Sequence, residues 1–447
     1  MERGPVTKSK PKPKPVAPPE ETLSTGLNDR SGGKLAGSES RLLSAPTLLA
    51  TTKPSVVKGD VVESATKSEG LQVGMNKSEG TLRNLVVLGK SSLEELTRLN
   101  DPLILRSPEL RKPLIAQLGG SDETEAAIRR ALEFLTRTQE KGGYWRSPKG
   151  HKIAPTALAM LCYMGYGGKH TEPGIYQVPL QKALDWMISQ VGKDGDLHDS
   201  GRMYDQCIAS LALAEAYTLT KDPRLAAVVP SVIGFIVRSQ NPKSGGWRYH
   251  PYSSDPDPGD LSISGWALMA LKSARLGGGA TVPDETFVRV GRFLDLMGTG
   301  AKGGLYGYVS PKPKLSMTAE GMFCRQLLGA QPHQERMKES AEYLRAHFPT
   351  VATKSVDVNF YYWYYGSFAL YQHQGPIWEE WNSRMKPLLL KRQRLDGHLS
   401  GSWDAEGDRD DDYGRTVSTM LATLTLEVYY RYLPLYNLQL ASGEAAR

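Results

Sequence analysis

Gly142-Gly143-Tyr144-Trp145 returns along the chain as Asp194-Gly195-Asp196-Leu197, Gly245-Gly246-Trp247, Gly303-Gly304-Leu305-Tyr306 and Asp396-Gly397-His398-Leu399. Equivalent glycines stand 52, 51 and 58 residues apart, then 93, about two steps with one signature missing. Self-similarity at a nearly fixed period marks supersecondary units that bury one face against the next. Between the glycine signatures the apolar spacing is helical. Ser121-Asp122-Glu123-Thr124-Glu125 caps and charges a first turn, and Ile128, Leu132 and Leu135 follow at i, i+4 and i+7. Segments 178–190, 224–240, 284–297, 334–347 and 376–393 repeat that amphipathic pattern.

A second set, 153–166, 203–219, 261–276, 316–329, 358–373 and 413–432, is apolar nearly all round, as in Ile208-Ala209-Ser210-Leu211-Ala212-Leu213-Ala214. Helices of that kind are enclosed by protein, and amphipathic ones face water on one side. Six of each predict an all-α (α/α)6 toroid, with inner helices inside an outer ring, over residues 121–436. The missing signature falls where 348–357 joins two helices without glycine. Glycines suit the reversals because they reach φ > 0. The aromatic after them is expected to cover the adjoining helix, which makes Trp145 and Trp247 structural. Gln139, Gln190, Gln240 and Gln393 lead into the loops, where a carboxamide can satisfy free backbone groups.

Residues 1–120 contain no Phe, Tyr or Trp and open with Lys8-Ser9-Lys10-Pro11-Lys12-Pro13-Lys14-Pro15. Without large apolar side chains the stretch has little to offset the entropy of ordering, so it is expected to be a disordered tail or linker. Brief apolar pieces such as Leu103 to Leu105 are candidates for docking onto the body. Residues 437–447 make a short C-terminal tail. The first 120 residues carry a net charge of +5 and the remainder +2, so the basic pI of 9.0 describes the tail. No aromatics interleave that charge, so no nucleic-acid partner is expected. Contact with an anionic membrane surface stays open, although no apolar run reaches the ~18 residues of a bilayer span. Cys162, Cys207 and Cys324 all fall in apolar helical patterns, which suits a reducing compartment and predicts a cytoplasmic protein without disulfides. No secretory leader is read at Met-Glu-Arg-Gly-Pro.

Gln139-Glu140-Lys141-Gly142-Gly143-Tyr144-Trp145, preceded by Arg130-Ala131-Leu132-Glu133-Phe134-Leu135, resembles the Gln-x3-Gly-x-Trp repeat of squalene and oxidosqualene cyclases. The run from Gln240 to Trp247 fits with one extra residue, and Gln190 and Gln393 open degenerate copies ending at Leu197 and Leu399. Protein prenyltransferase β subunits share that toroid. The resemblance implies the fold over most of residues 121–436, although squalene cyclases carry two helical domains and this chain has room for one. It also implies an isoprenoid or other apolar polyene in a central cavity, handled by a cyclase-type isomerase.

Asp408-Arg409-Asp410-Asp411 matches the Asp-x-Asp-Asp acid motif of class II terpene cyclases. The resemblance makes Asp410 the proton donor to an alkene, tuned by Asp408 and Asp411, since clustered carboxylates raise one another's pKa. The sequel Asp412-Tyr413-Gly414-Arg415 departs from that family, and an exposed helix-capping acidic loop is the alternative. Asp205-Gln206-Cys207 matches the Asp-x-Cys pair that holds zinc in prenyltransferase β subunits, but no His follows near Asp260. Two ligands leave zinc's four-coordinate shell incomplete, so no cofactor or metal is expected and Cys207 is read as core. Polar and aromatic residues recur where inner helices begin, at one mouth of a toroid. Tyr204, Trp266, Tyr361, Tyr362, Asp205 and Asp260 are the candidate ligand contacts, with His151, Arg202 and Glu320 in the same set. N-capping and aromatic packing would place the same residue types there. Two rival functions remain: a non-catalytic scaffold with a plugged cavity, and a carbohydrate-active helical barrel with an open cleft of exposed aromatics and basic residues or paired carboxylates.

Overall fold

The computed structural model describes residues 118–197, 202–254, 257–407 and 410–431, and from the preceding segment residues 103, 106–108, 111–112 and 115–116. Of residues 410–412 it describes the backbone alone. Most of the expected tail, the expected C-terminal tail, and Asp408 and Arg409 of the acidic motif lie outside these residues.

Among the described residues, twelve helices alternate between two rings. The outer ones are α1 (Asp122–Thr138), α3 (Gln177–Ser189), α5 (Leu225–Arg238), α7 (Asp284–Met297), α9 (Glu335–Arg345) and α11 (Gly375–Arg392). The inner ones are α2 (Ile153–Gly165), α4 (Met203–Thr220), α6 (Leu261–Leu276), α8 (Leu315–Leu327), α10 (Phe360–His373) and α12 (Asp410–Leu426), followed by a single further helical turn, Val428–Arg431. Each inner helix packs on the next, and α12 packs back on α2, so the inner ring closes as an (α/α)6 toroid. Among the described residues, strand pairing is confined to a two-residue ribbon, Gly298–Thr299 with Leu305–Tyr306, and a few isolated bridges.

The repeat is a hydrogen-bonded device. The carboxamide of Gln139 donates to Gly143 O (3.0 Å) in its own loop and to Pro179 O (2.9 Å) at the start of α3. Gln240 does the same with Gly245 O and Thr286 O of α7, and Gln393 with Gly401 O and Ala127 O of α1. Each amide ties a turn to the next outer helix, and the last ties the sixth repeat to the first. The glycines must be glycines. Gly143, Gly245 and Gly401 have φ of +90°, +87° and +94°, and a Cβ on Gly401 would lie 2.0 Å from Arg130 O. The tryptophan that follows is buried, donates its indole N–H to the preceding outer helix, and gives its backbone N–H to a hydroxyl of the following inner helix. Trp145 bonds Leu135 O and Thr156 Oγ1; Trp247 bonds Ile236 O and Ser264 Oγ.

Two details differ from the sequence reading. In the last repeat the aromatic is Trp403, bonded to Leu389 O and Thr419 Oγ1, and Leu399 lies half-buried in a 3-10 turn. The loop is four residues longer than a comparison with Gly397 suggests, so the working glycine is Gly401. In the second repeat Gln190 turns back onto α3, bonding Trp186 O and Ser189 Oγ. Its place is taken from inside the ring by Gln206 of α4, which donates to Gly195 O (3.0 Å) and Val232 O (3.2 Å).

The bore is filled with aromatic side chains. Trp266 of α6 stacks on Tyr364 of α10 (centroids 5.4 Å apart) and meets Tyr365 edge-on, while Phe323 of α8 packs on Tyr365 and Phe368. Toward the C-terminal ends of the inner helices sits a buried charge cluster. Arg106, from the segment before α1, donates to Glu215 (2.8 Å) and twice to Arg431 O (3.1 Å), and Arg431 donates to Glu215 and to Leu161 O. Arg111 pairs with Glu125 (3.2 Å) and lies over the Tyr166 ring.

The closed ring yields two expectations. Trp403→Ala should cost roughly 3–5 kcal/mol, as for other buried aromatics, and Leu399→Ala under about 1 kcal/mol; chemical denaturation of the two variants compares them. Arg106→Ala strips a buried ion pair of one partner and should cost roughly 3–5 kcal/mol, visible as a lower melting temperature, with a chain starting at Ser121 destabilised at least as much.

Candidate functional site

A cavity of about 560 Å³ opens at the N-terminal ends of the inner helices. The turn before α2 supplies Ser147, Lys149 and His151, the start of α4 supplies Arg202, Tyr204 and Asp205, and the loop after Trp247 supplies Tyr249 and His250. Trp266, Tyr361 and Tyr413 complete the aromatic wall, and Leu158, Ile208, Val417 and Leu421 form an apolar patch beneath it. Such a volume lies in the range of small-ligand sites, which combine apolar walls with a few placed polar groups.

The backbone explains why these residues gather. Inner helices start at this end, so their first turns carry capping and polar residues that the apolar middles lack. Asp260 caps α6 by accepting from Ile263 N (2.9 Å), and Asp205 accepts from Ala154 N (2.9 Å) at the start of the neighbouring α2.

Three tyrosines on the wall are backed by hydrogen-bond chains that run into the protein. Tyr204 bonds Ser262, whose hydroxyl donates to Asp260 (2.8 Å), and Asp260 is paired with Arg248 (2.9 Å). Tyr249 meets the Tyr308 hydroxyl (2.5 Å), which accepts from Arg248 (3.3 Å), and Arg248 also holds Asp257. Tyr361 donates to both carboxyl oxygens of Glu320, at 3.0 and 3.2 Å.

The two buried acids are held differently. Burial pushes Asp260 upward, opposed by its bonds from Ile263, Ser262 and Arg248. Burial pushes Glu320 well above the usual carboxylate range; bonds from Tyr361 and Tyr365 pull it down, and the charge of Asp260 adds to the rise. Glu320 is completely buried on α8, in space that Gly265 of α6 leaves open, since a Cβ there would lie 2.1 Å from its Oε1. Burial also raises the hydroxyls of Tyr204 and Tyr361 well above the ordinary phenol value.

Of the residues singled out in the sequence, the structure brings Tyr204, Asp205, Trp266 and Tyr361 together on the lining, with His151 and Arg202. Asp260 lies one layer behind, reached through Tyr204 and Ser262. Tyr362 is a correction: it packs edge-on against Trp381 of the outer ring, with its hydroxyl toward His347 O, because neighbours on a helix point about 100° apart. Asp410 and Asp411 open α12, the helix whose Tyr413, Val417 and Leu421 reach the cavity; Asp408 and their side chains lie outside the described residues. Cys207 is fully buried and its thiol is pushed well up by burial and by Asp260. Among the described residues no three His, Cys, Asp or Glu side chains are grouped to hold a metal ion, and no helix is long and apolar enough to cross a membrane. Tyr249 and His250 escaped the sequence reading because they follow a structural tryptophan in an irregular loop.

No protein-family model matches the sequence, and no curated protein matches it. Solved structures are similar in fold. The GH76A alpha-1,6-mannanase of Salegentibacter sp. HEL1_6 aligns with a TM-score of 0.51 at 14% identity, over 69% of this chain and 99% of that one. An inactive variant of it in complex with alpha-1,6-mannotetrose aligns at 0.50 and 12% identity, over 70% and 99%. The type II terpene cyclase MstE from Scytonema aligns at 0.46 and 14% identity, over 69% and 98%, too loosely to carry an argument. At these identities the likeness establishes the toroid and leaves chemistry to the site.

Glu320 has a measurable signature. A carboxyl whose folded pKa is raised contributes stability at low pH that is lost as pH rises above the unfolded value of about 4.3. Glu320→Gln keeps the shape without the titration. Its melting temperature should exceed that of the parent at pH 8, by an amount equivalent to at least about 1 kcal/mol, and the difference should shrink toward pH 4.

Proposed function

We propose that the cavity binds a carbohydrate, a ring-bearing polyhydroxyl ligand that enters from the open mouth. One observation carries this reading: aromatic faces (Tyr204, Tyr249, Trp266, Tyr361, Tyr413) are interleaved with hydrogen-bonding and charged groups (His151, Arg202, Asp205, His250) above a filled bore. A sugar ring offers apolar C–H faces to aromatic rings and hydroxyls to polar groups, so it suits both halves of this wall. An apolar polyene would cover Arg202 and Asp205 without replacing their water, which costs roughly 1–3 kcal/mol or more per polar group. Glycoside cleavage needs two carboxyl groups flanking the bond. Among the described residues Asp205 is the one carboxylate on the lining, so the geometry supports recognition first.

A second reading, acid-initiated polyene cyclisation, draws on the sequence Asp408-Arg409-Asp410-Asp411, whose last two residues open α12, a helix that borders the cavity. Titrating the full chain with alpha-1,6-manno-oligosaccharides, other oligosaccharides and a geranylgeranyl compound, while following tryptophan fluorescence, separates the two. Saturable quenching by an oligosaccharide is expected, weakened about tenfold, or about 1.4 kcal/mol, by Tyr249→Ala. Saturation by the geranylgeranyl compound alone would overturn the carbohydrate reading in favour of the second.

A further inference from the structure

We propose that Glu320 is the proton donor of this cavity, acting through the hydroxyl of Tyr361. The inference rests on the cavity being a ligand site and is independent of whether the ligand is a sugar.

The geometry carries it. Tyr361 is the wall residue in contact with Glu320, both of whose carboxyl oxygens lie within 3.2 Å of the Tyr361 hydroxyl. The groups that face Glu320 from the surrounding helices are Asp260 and Tyr204, Tyr361 and Tyr365, and, on its own helix, Cys324. None of these described groups is a cation, in contrast to Asp260, which has Arg248. A buried carboxyl surrounded by hydroxyls and another acid is stable as the neutral acid. Among the described residues, the cavity-lining side chain hydrogen-bonded to this acid is the phenol of Tyr361.

The transfer balances. The neutral Glu320 O–H donates to the Tyr361 oxygen while the Tyr361 O–H turns to the ligand. As the ligand's basic atom takes the tyrosine proton, the bond from Glu320 to hydrogen breaks and tyrosine is re-formed. Glu320 is left as the carboxylate, to be reprotonated along the same path from water in the emptied cavity. Tyr361 cannot be the net donor, because the site that raises Glu320 also disfavours a buried phenolate. General acids need the protonated form at the working pH, and burial among hydroxyls favours that form.

Infrared difference spectroscopy of the unliganded full chain tests the proposal without any ligand. At neutral pH the wild type should show a neutral-carboxyl C=O band that is lost in Glu320→Gln. On transfer to D2O that band should shift as its proton exchanges. In Tyr361→Phe the band should remain and shift to higher frequency as it loses a hydrogen bond, and its deuterium shift should be delayed. A carboxyl band unaltered by Glu320→Gln would show an ionised Glu320 and overturn the proposal. Equal exchange in Tyr361→Phe and wild type would remove the relay. Because no sugar enters the measurement, either result stands apart from the outcome of the oligosaccharide titration.

Discussion

A side-chain amide with two carbonyls to satisfy holds this ring together. A glycine turn between antiparallel helices leaves a loop carbonyl to satisfy, and the flank of the next outer helix offers a carbonyl that accepts a second hydrogen bond. One glutamine donates two hydrogens and so satisfies one carbonyl of each. The pairing fixes the offset between consecutive repeats, and Gln393 applies it between the sixth repeat and the first through Ala127 and Gly401. The device is defined by its amide, not by its residue number. Gln206 supplies it from an inner helix, and in the fourth repeat the Ser340 hydroxyl donates to Gly304 O (2.5 Å) while Glu339 accepts from Gly304 N (2.7 Å).

Closure by these loops sets what the middle of the ring can be. With six inner helices held at fixed spacing, Trp266, Tyr364, Tyr365, Phe323 and Phe368 meet across the bore and occupy it. Space is left where inner helices begin and side chains give way to caps. The cavity is therefore a cup with Leu158, Ile208, Val417 and Leu421 beneath its wall, and Trp266 both lines it and packs in the aromatic plug. A ligand resting there touches the same indole that stabilises the fold.

Much of this was legible in the sequence because two periods coincide: the helical repeat within each segment and the spacing of glycine loops between them. The twelve helices fall within a few residues of their expected limits. The misreadings share a cause. Leu399 for Trp403, and Gln190 for Gln206, follow from assuming that each repeat keeps one loop length and takes its amide from one position, whereas the structure conserves the bond and lets the residue move. Capping chemistry pointed to the end of the ring where the cavity opens, but it could not tell Tyr361 from Tyr362. Both are aromatic, both sit in the first turn of α10, and helix rotation alone sends one to the cavity and the other to Trp381. Glu320 carried a sharper signal: an acid within Thr318-Ala319-Glu320-Gly321-Met322-Phe323, on a helix otherwise destined for burial.

Among the described residues three buried glutamates lie on or just beyond inner helices, and their surroundings differ. Glu215 is bracketed by Arg106 and Arg431, so its charge is compensated and its cost on burial reduced. Glu427 lies 3.8 Å from Arg431, but among the described residues nothing hydrogen-bonds its carboxyl, and burial pushes it well above the usual carboxylate range. A toroid end sealed by ion pairs is rigid, because removing any one charge strands another in low dielectric. Glu320, toward the other end, has tyrosine hydroxyls in place of arginines, and these can either give or accept a hydrogen bond. Protonation of Glu320 therefore strands no counter-charge, whereas protonation of Glu215 would leave buried arginines unpaired. The fold places the ion pairs of Glu215 with Arg106 and Arg431 at one end of the inner ring and Glu320, with tyrosine hydroxyls for partners, toward the other, beneath the cavity.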